Sequence, residues 1–233
     1  MDQRQYRDDQ PCGDELAAEA CADFDQPRDF LGRRQMRWVK DRLRASDAAW
    51  KVLANQVMVM PVKGPGSFLG FDSWQGYARE REELLTYIRD RQIKDVVFVT
   101  GDIHVFVAGD VRTRLGEGEN VALEFVGGSI TSRSLGESDL DVGGTVIEGN
   151  DANPMTPPAI IEALRALNPW ADNADLDHHG YGRVVATKDD LSVDLVRVQT
   201  IKRRSTELLP AEGYRYRVAR GQTSIKGVNG PPA

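Results

Sequence analysis

The sequence is poor in cysteine, histidine and aromatic residues, and it has no long apolar run. Its 233 residues include two cysteines and three histidines, and 7% of them are aromatic. The two cysteines form no Cys-x-x-Cys pair, which excludes a zinc ribbon and a thioredoxin-type motif. The longest apolar run, around Val96–Thr100, is far shorter than the roughly 20 residues of a membrane helix. The polar, charged N-terminus is not typical of a signal or transit peptide, so we expect a soluble chain with no membrane span.

An excess of positive charge is also absent. The chain has 30 lysine and arginine residues against 36 aspartate and glutamate residues, which gives a net charge of −6. Contacts to nucleic-acid phosphates need a basic surface, so we expect no nucleic-acid-binding surface. The sequence contains no Walker loop, dinucleotide fingerprint, Gly-x-Ser-x-Gly elbow or His-Glu-x-x-His helix. Its 40% of hydrophobic residues is nevertheless enough to form a globular core.

Apolar periodicity predicts helices and strands that alternate at first and then a β-meander near the end of the chain. The predicted helices cover residues 32–45, 74–92 and 157–167, and the predicted strands cover residues 50–60, 95–100, 120–126, 182–187, 191–200 and 214–219. Residues 61–71 and 136–158 are predicted loops, and residues 105–111 fit a strand or a helix equally well. The polar tail, residues 221–233, is expected to be disordered. This order predicts an α/β or α+β fold in which helices flank a mixed β-sheet.

The segment with the strongest chemical signal is Gly101-Asp-Ile-His104, which follows a predicted buried strand. Open sheets bind ligands beyond the carboxyl ends of their strands, where a rigid strand ends in an accessible loop. The carboxylate of Asp102 suits a hard cation, and the imidazole of His104 suits a transition metal. A helix N-cap and a structural histidine would also explain these two residues. The sequence makes Asp102 and His104 candidate metal ligands and leaves the structural explanation open.

Other residues with reactive side chains give weaker signals. Arg4 and Arg7 could hold a phosphate group, although a solvated terminal loop explains them as well. His178 and His179 are adjacent in the sequence, so at most one of them is expected to face a given site. Ser129 follows two glycines and resembles a nucleophile, but the sequence shows no base beside it. We therefore interpret Ser129 as part of a tight strand exit.

Several motifs occur in one order along almost the whole chain. They are Asp2-Gln-Arg-Gln-Tyr-Arg-Asp-Asp-Gln-Pro-Cys12, Leu31-Gly-x-x-Gln35-x-x-Trp38, Trp50-Lys-Val, Asn55-Gln-Val, Trp74-x-Gly-Tyr-x-x-Glu-Arg81, Thr100-Gly-Asp-Ile-His104, Glu124-Phe-Val-Gly-Gly-Ser-Ile-Thr-Ser132 and His179-Gly-Tyr-Gly. This series resembles the alkaline phosphatase D (PhoD-like) family, and the similarity runs from residue 2 to about residue 200.

The resemblance implies a PhoD-like metallophosphoesterase domain over residues 1–220, folded as part of an αββα sandwich. It implies calcium and iron as cofactors and the hydrolysis of phosphomonoesters or phosphodiesters by a metal-activated hydroxide. It assigns the metals to Asp102 and His104, and the phosphate ester substrate to Arg4, Arg7 and His179.

The chain resembles only the C-terminal half of such an enzyme. The family motifs that carry the other metal ligands, including the iron-binding cysteine, are not found in it. Asp102 and His104 supply two donors, whereas a tight metal site needs three or more. Two hypotheses follow: a phosphoesterase, or a non-catalytic half-domain that needs a partner polypeptide or self-associates. For an isolated half we expect little activity and exposed apolar strand faces.

The two cysteines bear on where the protein is located. Cys12 and Cys21 are nine positions apart, and this spacing fits a disulfide-closed loop about as well as two free thiols. The resemblance implies export to the cell envelope or the outside of the cell, where a disulfide persists. The chain itself shows no export signal, and without export it is expected in the cytoplasm.

Overall fold

Helices and strands alternate along the first part of the chain, and strands predominate near its end. The computed structural model of the protein describes residues 1–13, 17–18, 21–64, 67–142, 145–150 and 156–226. In these ranges the α-helices are α1 (Gly32–Ala45), α2 (Ala78–Asp90) and α3 (Pro158–Leu167), and short 3-10 helices cover Trp74–Tyr77 and Leu135–Glu137. The strands are β1 (Ala17–Ala18), β2 (Lys51–Ala54), β3 (Lys63–Gly64), β4 (Ser67–Leu69), β5 (Val96–Thr100), β6 (Phe106–Arg112), β7 (Asn120–Val126), β8 (Leu140–Val142), β9 (Thr145–Ile147), β10 (Ala171–Asp175), β11 (His179–Ala186), β12 (Asp190–Val198) and β13 (Arg215–Ala219).

The central sheet is mixed and has five strands in the order β10-β6-β7-β5-β2. Strands β2, β5 and β7 are parallel neighbours, and β6 runs antiparallel to both β7 and β10. A second, antiparallel sheet has the order β11-β12-β13, and two smaller sheets contain β1-β4-β3 and β8-β9. The prediction of an α/β chain with a mixed sheet flanked by helices is confirmed.

Two apolar cores separate three layers of the structure. The first core lies between the helices and one face of the central sheet, and it contains Met36 of α1, Leu84 of α2 and Phe98 of β5. The second core lies between the two larger sheets, where Val97 of β5 packs with Val193 of β12. Successive side chains of a strand point to opposite faces, so β5 is buried on both sides, as its continuous apolar sequence predicts.

The helices form where the sequence gives them one apolar face. In α1 the side chains of Met36, Val39 and Leu43 are buried, and they recur at three- and four-residue steps. Helix α3 begins at Pro158, whose fixed φ and missing N–H suit the first turn of a helix. In the described part of the chain, no helix has both the length and the apolar character that crossing a membrane requires.

The strand predicted over residues 50–60 is shorter in the structure and ends at Ala54. Beyond it, the backbone N–H groups of Val59 and Met60 donate to the side-chain carboxylate of Glu124. A buried carboxylate thus takes the place of a neighbouring strand as the hydrogen-bond acceptor. Apolar composition alone cannot distinguish these two ways of burying a segment.

Three further predictions are corrected or resolved. The ambiguous segment 105–111 forms strand β6, and the predicted loops 61–71 and 136–158 contain the short strands β3, β4, β8 and β9. The prediction of a disordered tail is wrong for residues 221–226. Ile225 is buried in the second core, and its N–H donates to Asp110 at 2.6 Å. Residues 227–233 and parts of both loops lie outside the described residues.

Each of the two larger sheets ends in a strand that exposes apolar side chains. Within the described residues, β2 pairs only with β5, and its Val52 is exposed beside Trp38 of α1, along a surface cavity of about 330 Å³. Strand β11 pairs only with β12, and its Val185 is 53% exposed. The indole N–H of Trp50 donates to Thr187 O at 2.9 Å and connects these two regions of the chain. An exposed apolar side chain thus lies on each of these two strands, and the larger exposed faces expected of an isolated half stay a prediction.

Candidate active site at the carboxyl edge of the central sheet

The loops that follow β5 and β7 leave the central sheet at the same edge, because these strands are parallel neighbours. Gly127 N donates to Thr100 O at 2.9 Å, so the two loops start side by side. Asp102 and His104 lie in the loop after β5, with φ angles of +78° and +57°. Left-handed backbone is uncommon for residues other than glycine, and where it occurs it is concentrated at functional sites. This edge is therefore the candidate site.

One ring nitrogen of His104 is already engaged by the protein. Its Nδ1 lies 2.7 Å from the main-chain oxygen of Arg133, in the loop after β7. A carbonyl oxygen can only accept a hydrogen bond, so Nδ1 carries the proton and Nε2 of the neutral ring keeps a free lone pair. Metal-binding histidines are commonly oriented by such a bond on the opposite nitrogen. His104 is thus arranged to offer Nε2 to a cation.

Asp102 belongs to a cluster of opposite charges that contains both predicted phosphate-binding arginines. Its Oδ1 accepts from Nη2 of Arg4 at 3.0 Å, and Nη1 of Arg4 donates to both carboxylate oxygens of Asp72 at 2.8 and 2.7 Å. Nη1 of Arg7 donates to Oδ1 of the same Asp72 at 2.5 Å. The structure therefore brings Arg4, Arg7 and Asp102 together, although Arg4 and Asp102 are 98 residues apart in the sequence.

Asp72 is a residue of this site that sequence reasoning missed. In the sequence, Asp72-Ser73 resembles a helix cap, and the hydroxyl of Ser73 indeed accepts from the backbone of the following 3-10 helix. Burial alone would raise the pKa of Asp72, but the hydrogen bonds from Arg4 and Arg7 lower it below its ordinary value. The cluster holds two positive and two negative charges, so an incoming phosphate must compete with Asp72 for the arginines.

A buried polar network fixes the end of β5 behind the site. The hydroxyl of Thr100 donates to Glu124 Oε1 at 2.6 Å and accepts from Asn55 Nδ2 at 3.3 Å. Gln3 in turn donates to the side-chain oxygen of Asn55. Burial raises the pKa of Glu124, whereas the bond from Thr100 and the nearby charge of Arg81 oppose that rise. Burial also lowers the pKa of Arg81 to about 10. Hydrogen-bonded buried networks of this kind hold their neighbours rigidly, although Nη2 of Arg81 is buried and has no hydrogen-bond partner among the described residues.

A second polar cluster joins the loop after β7 to the start of β11. Ser129 Oγ lies 3.1 Å from His179 Nδ1, and His179 Nε2 lies 3.0 Å from Glu137 Oε2. His179 is 4% exposed and both of its ring nitrogens are engaged. The expectation that His179 contacts substrate stays a prediction, and in the structure both ring nitrogens face protein groups. The base that the sequence did not show beside Ser129 is His179.

The neighbouring His178 has a different partner, as expected for adjacent histidines. Its Nδ1 lies 2.9 Å from the buried carboxylate of Asp175, which also accepts from Nη1 of Arg197 at 2.9 Å. The hydrogen bond to Asp175 raises the pKa of His178. Despite burial, the bonds from His178 and Arg197 hold the pKa of Asp175 well below its usual range. These three side chains tie β10 to β12 and are structural.

Asp102 and His104 belong to no group of three potential metal ligands in the described ranges. The group that does occur there consists of Cys12, Cys21 and Asp23. A disulfide joins Cys12 to Cys21, whose Cα atoms are 5.6 Å apart, so neither sulfur is available as a thiolate ligand. An oxygen donor and an imidazole suit a cation in kind, but two donors are too few to complete a metal centre.

The layered mixed sheet and the polar loops beyond its parallel strands define an α/β domain whose candidate site lies at the carboxyl edge of the central sheet. A family model described as PhoD-like phosphatase matches residues 1–195. The chain belongs to the PhoD-like phosphatase family.

Individual relatives extend this comparison. The chain is 33% identical over 141 residues to "Alkaline phosphatase D" of Bacillus subtilis (strain 168), a match that covers 58% of this chain and 24% of the relative. The solved "Structure of PhoD" matches with a TM-score of 0.79 and 25% identity over 97% of this chain and 40% of the other. Purple acid phosphatase PPD1 from yellow lupin (Lupinus luteus) seeds matches with a TM-score of 0.39 and 14% identity over 70% of this chain and 26% of the other, too weakly to carry an argument. The chain thus spans about a quarter of the curated relative and less than half of the PhoD structure.

Proposed function

We propose that this chain carries part of the active site of a metal-dependent hydrolase of phosphomonoesters or phosphodiesters, with Asp102 and His104 as metal ligands. The observation that carries the proposal is the loop after β5, in which both residues adopt left-handed backbone beside Arg4. The B. subtilis relative, named an alkaline phosphatase, supports the same class of reaction.

The two arginines bind the substrate phosphate in this proposal. A guanidinium group presents several N–H donors in a planar fork that matches phosphate oxygens. Arg7 shares Asp72 with Arg4, so a phosphate that takes over part of these contacts leaves each charge compensated. Arg4 pairs with Asp102 at 3.0 Å, which supports a phosphate position next to the proposed metal ligand.

The donor types match the two ions that the family resemblance implies. The carboxylate of Asp102 suits calcium, and the free Nε2 of His104 suits iron. When bound, such ions lower the pKa of a coordinated water and offset the charge of the phosphate. Because the described residues supply two donors, we propose that the remaining ligands come from polypeptide outside them.

A metal titration combined with a hydrolysis assay tests this proposal. Binding of Ca²⁺ and Co²⁺ to the purified chain is measured by calorimetry, and hydrolysis of bis(p-nitrophenyl) phosphate is followed at each metal concentration. We expect weak binding and turnover well below roughly 1 s⁻¹, the lower end of ordinary enzymes. Both are lost in Asp102→Asn and in His104→Gln, and both are retained in Asp47→Asn, a matched control at an exposed aspartate after α1.

Two results would count against the proposal. Unchanged metal binding and turnover in Asp102→Asn and His104→Gln would remove these residues from the site. Turnover by the chain alone of about 1 s⁻¹ or more, lost in Asp102→Asn, would keep the site but show that it is complete without further ligands.

A second candidate function, a non-catalytic half-domain that associates with another polypeptide or with itself, is favoured by the open strands β2 and β11. Unpaired strand edges present N–H and C=O groups in a row and readily pair with another strand. Val52 and Val185 add exposed apolar surface at these edges. Sedimentation velocity of the purified chain tests self-association. A single monomeric species at high concentration, together with metal-dependent turnover, would favour the hydrolase instead.

The disulfide supports a further proposal about location. The bond between Cys12 and Cys21 is expected to persist in an oxidising compartment such as the cell envelope or the outside of the cell. Fractionation of cells that produce the full-length natural protein, with alkylation of free thiols before mass analysis, tests it. Reduced cysteines in a cytoplasmic fraction would overturn it.

A further inference from the structure

Ser129 has a base and an orienting carboxylate beside it, although the phosphoester proposal uses none of the three. The serine is half-buried at the carboxyl edge of β7, and its Oγ lies 3.1 Å from Nδ1 of His179. Nε2 of the same ring lies 3.0 Å from Oε2 of Glu137. A nucleophile, a base in hydrogen-bond reach and a third group that orients the base are the geometric signature of a base-activated hydroxyl.

The groups around Glu137 keep its carboxyl ionised, which this geometry requires. Burial alone would raise the pKa of its carboxyl, but Lys202, the Ser134 N–H and His179 lower it below the ordinary value. The carboxylate is therefore ionised and accepts the proton on Nε2 of His179. The neutral ring then has its lone pair on Nδ1, which faces Ser129. Either imidazole nitrogen can act as the base, because the two are conjugated through one ring.

The hydroxyl of Ser129 has two acceptors within reach. Besides Nδ1 of His179, the main-chain oxygen of Ser132 lies 2.5 Å from its Oγ. Rotation about the Cβ–Oγ bond moves the single proton from one acceptor to the other without any change in the backbone. The bond to Ser132 holds Oγ in place at rest, and the bond to His179 is the one that activates it.

The backbone on both sides of Ser129 has N–H groups without a protein acceptor among the described residues. Among the described residues, the N–H groups of Gly128 and Ile130 donate to no protein acceptor. Backbone N–H groups next to a nucleophile are the usual donors to the oxygen of a tetrahedral intermediate. The next residues, from Ile130 to Arg133, are exposed, so a small ester can approach Ser129 from the solvent.

We propose that Ser129, His179 and Glu137 form a second, metal-independent site that hydrolyses small carboxylic esters. Ser129 Oγ forms a bond to the carbonyl carbon while its proton passes to Nδ1 of His179. The carbon–oxygen bond to the alcohol then breaks, and Nδ1 returns the proton to the departing alkoxide. Water attacks the acyl group through the same base, which releases the acid and restores the serine. Glu137 remains ionised and stabilises the protonated ring.

A fluorophosphonate probe tests the site directly, because it labels activated serines and needs no metal. The folded wild-type chain is incubated with the probe in EDTA, digested and mapped by mass spectrometry, and release of p-nitrophenol from p-nitrophenyl acetate is followed in parallel. We expect label on Ser129, and a rate of labelling that falls roughly 100-fold or more in His179→Gln, the usual range for loss of a general base. Ser132→Ala keeps the main-chain oxygen and is the matched control, with labelling like wild type.

The wild-type measurement alone can overturn the inference, so it does not depend on the variants folding. Absence of label on Ser129 in the folded wild-type chain would show that the three side chains only hold β11 against the loop after β7. Labelling that EDTA abolishes would assign the reactivity to the metal site instead. Labelling that persists in EDTA while phosphoester hydrolysis fails would leave this site standing and overturn only the phosphoesterase proposal.

Discussion

Replacement of Thr100 by valine should destabilise the whole domain, because Thr100 donates to a carboxylate that is fully buried. Thr100→Val preserves the shape of the side chain and removes the 2.6 Å bond to Glu124. A hydrogen bond to a charged group contributes about 1.5–3 kcal/mol. Asn55 loses a weaker contact of 3.3 Å and keeps its bond to Val57 O. We therefore expect the free energy of unfolding to fall by about 2–3 kcal/mol.

Urea unfolding measures this change, with Thr100→Ser as the matched control. Serine keeps the hydroxyl and loses one methyl group, so its cost is about 1 kcal/mol or less. For a urea dependence of about 2–3 kcal/mol per M, the valine variant should unfold at a concentration about 1 M lower than wild type. A difference between the two variants below about 0.5 kcal/mol, within the scatter of neutral substitutions, would refute the assignment of this bond.

The pH dependence of the same pair checks the electrostatic part of the argument. Burial raises the pKa of Glu124 in the folded state. Protonation of this carboxyl therefore stabilises the folded state below the ordinary glutamate pKa, and this stabilisation is lost as the pH rises through the raised pKa of the folded protein. The hydroxyl of Thr100 opposes the rise in pKa because it stabilises the ionised form. The difference between Thr100→Val and Thr100→Ser should therefore be larger at pH 8 than at pH 5. An equal difference at both pH values would show that the bond from Thr100 does not depend on the charge of Glu124.

Three further predictions follow from the described contacts. Reduction of the bond between Cys12 and Cys21 should lower the free energy of unfolding by about 2–3 kcal/mol, measured by thermal unfolding with and without reductant, and no change would show that the loop is held by other contacts. Because Asp175 raises the pKa of His178, the stability gained from the protonated ring is complete below the ordinary histidine pKa and is lost as the pH rises through the folded value. His178→Asn should remove this loss of stability above the ordinary histidine pKa, measured by urea unfolding across a pH series, and an unchanged curve would contradict the pairing. Val185→Lys should reduce self-association in sedimentation velocity if the edge of β11 is the contact, and unchanged association would place the contact elsewhere.

Helices and buried strands were predictable because their signal is local. The steps between Met36, Val39 and Leu43 define one face of α1, and the structure buries all three. The continuous apolar sequence of β5 predicted burial on both faces, which the two cores confirm. The position of Asp102 and His104 beyond β5 followed from the same reasoning, and their left-handed backbone supports the special character of that loop.

The partners of the site residues were not predictable, because they come from distant parts of the chain. Asp72 contacts Arg4 across 68 residues, and no local pattern relates the two. His179 reaches Ser129 across 50 residues, and no local pattern shows that a histidine lies beside this serine. The sequence did not predict β10 for a different reason. This strand, Ala171–Asp175, lacks the apolar alternation that indicates a strand.

The buried network supports the candidate site from two directions. Gln3 is fixed by its bond to Asn55 and by a pair of bonds with Gln56, at 2.6 and 2.8 Å. Arg4 follows Gln3 directly, so the network fixes the backbone position from which the Arg4 side chain extends. Asn55 also bonds to Thr100, which precedes the loop that carries Asp102. Arg4 and the loop that we propose to bind the metal are thus positioned from the same buried groups, which is the support that a precise site requires. A substitution that loosens this network should therefore change the distance between Arg4 and Asp102 even though it touches neither residue.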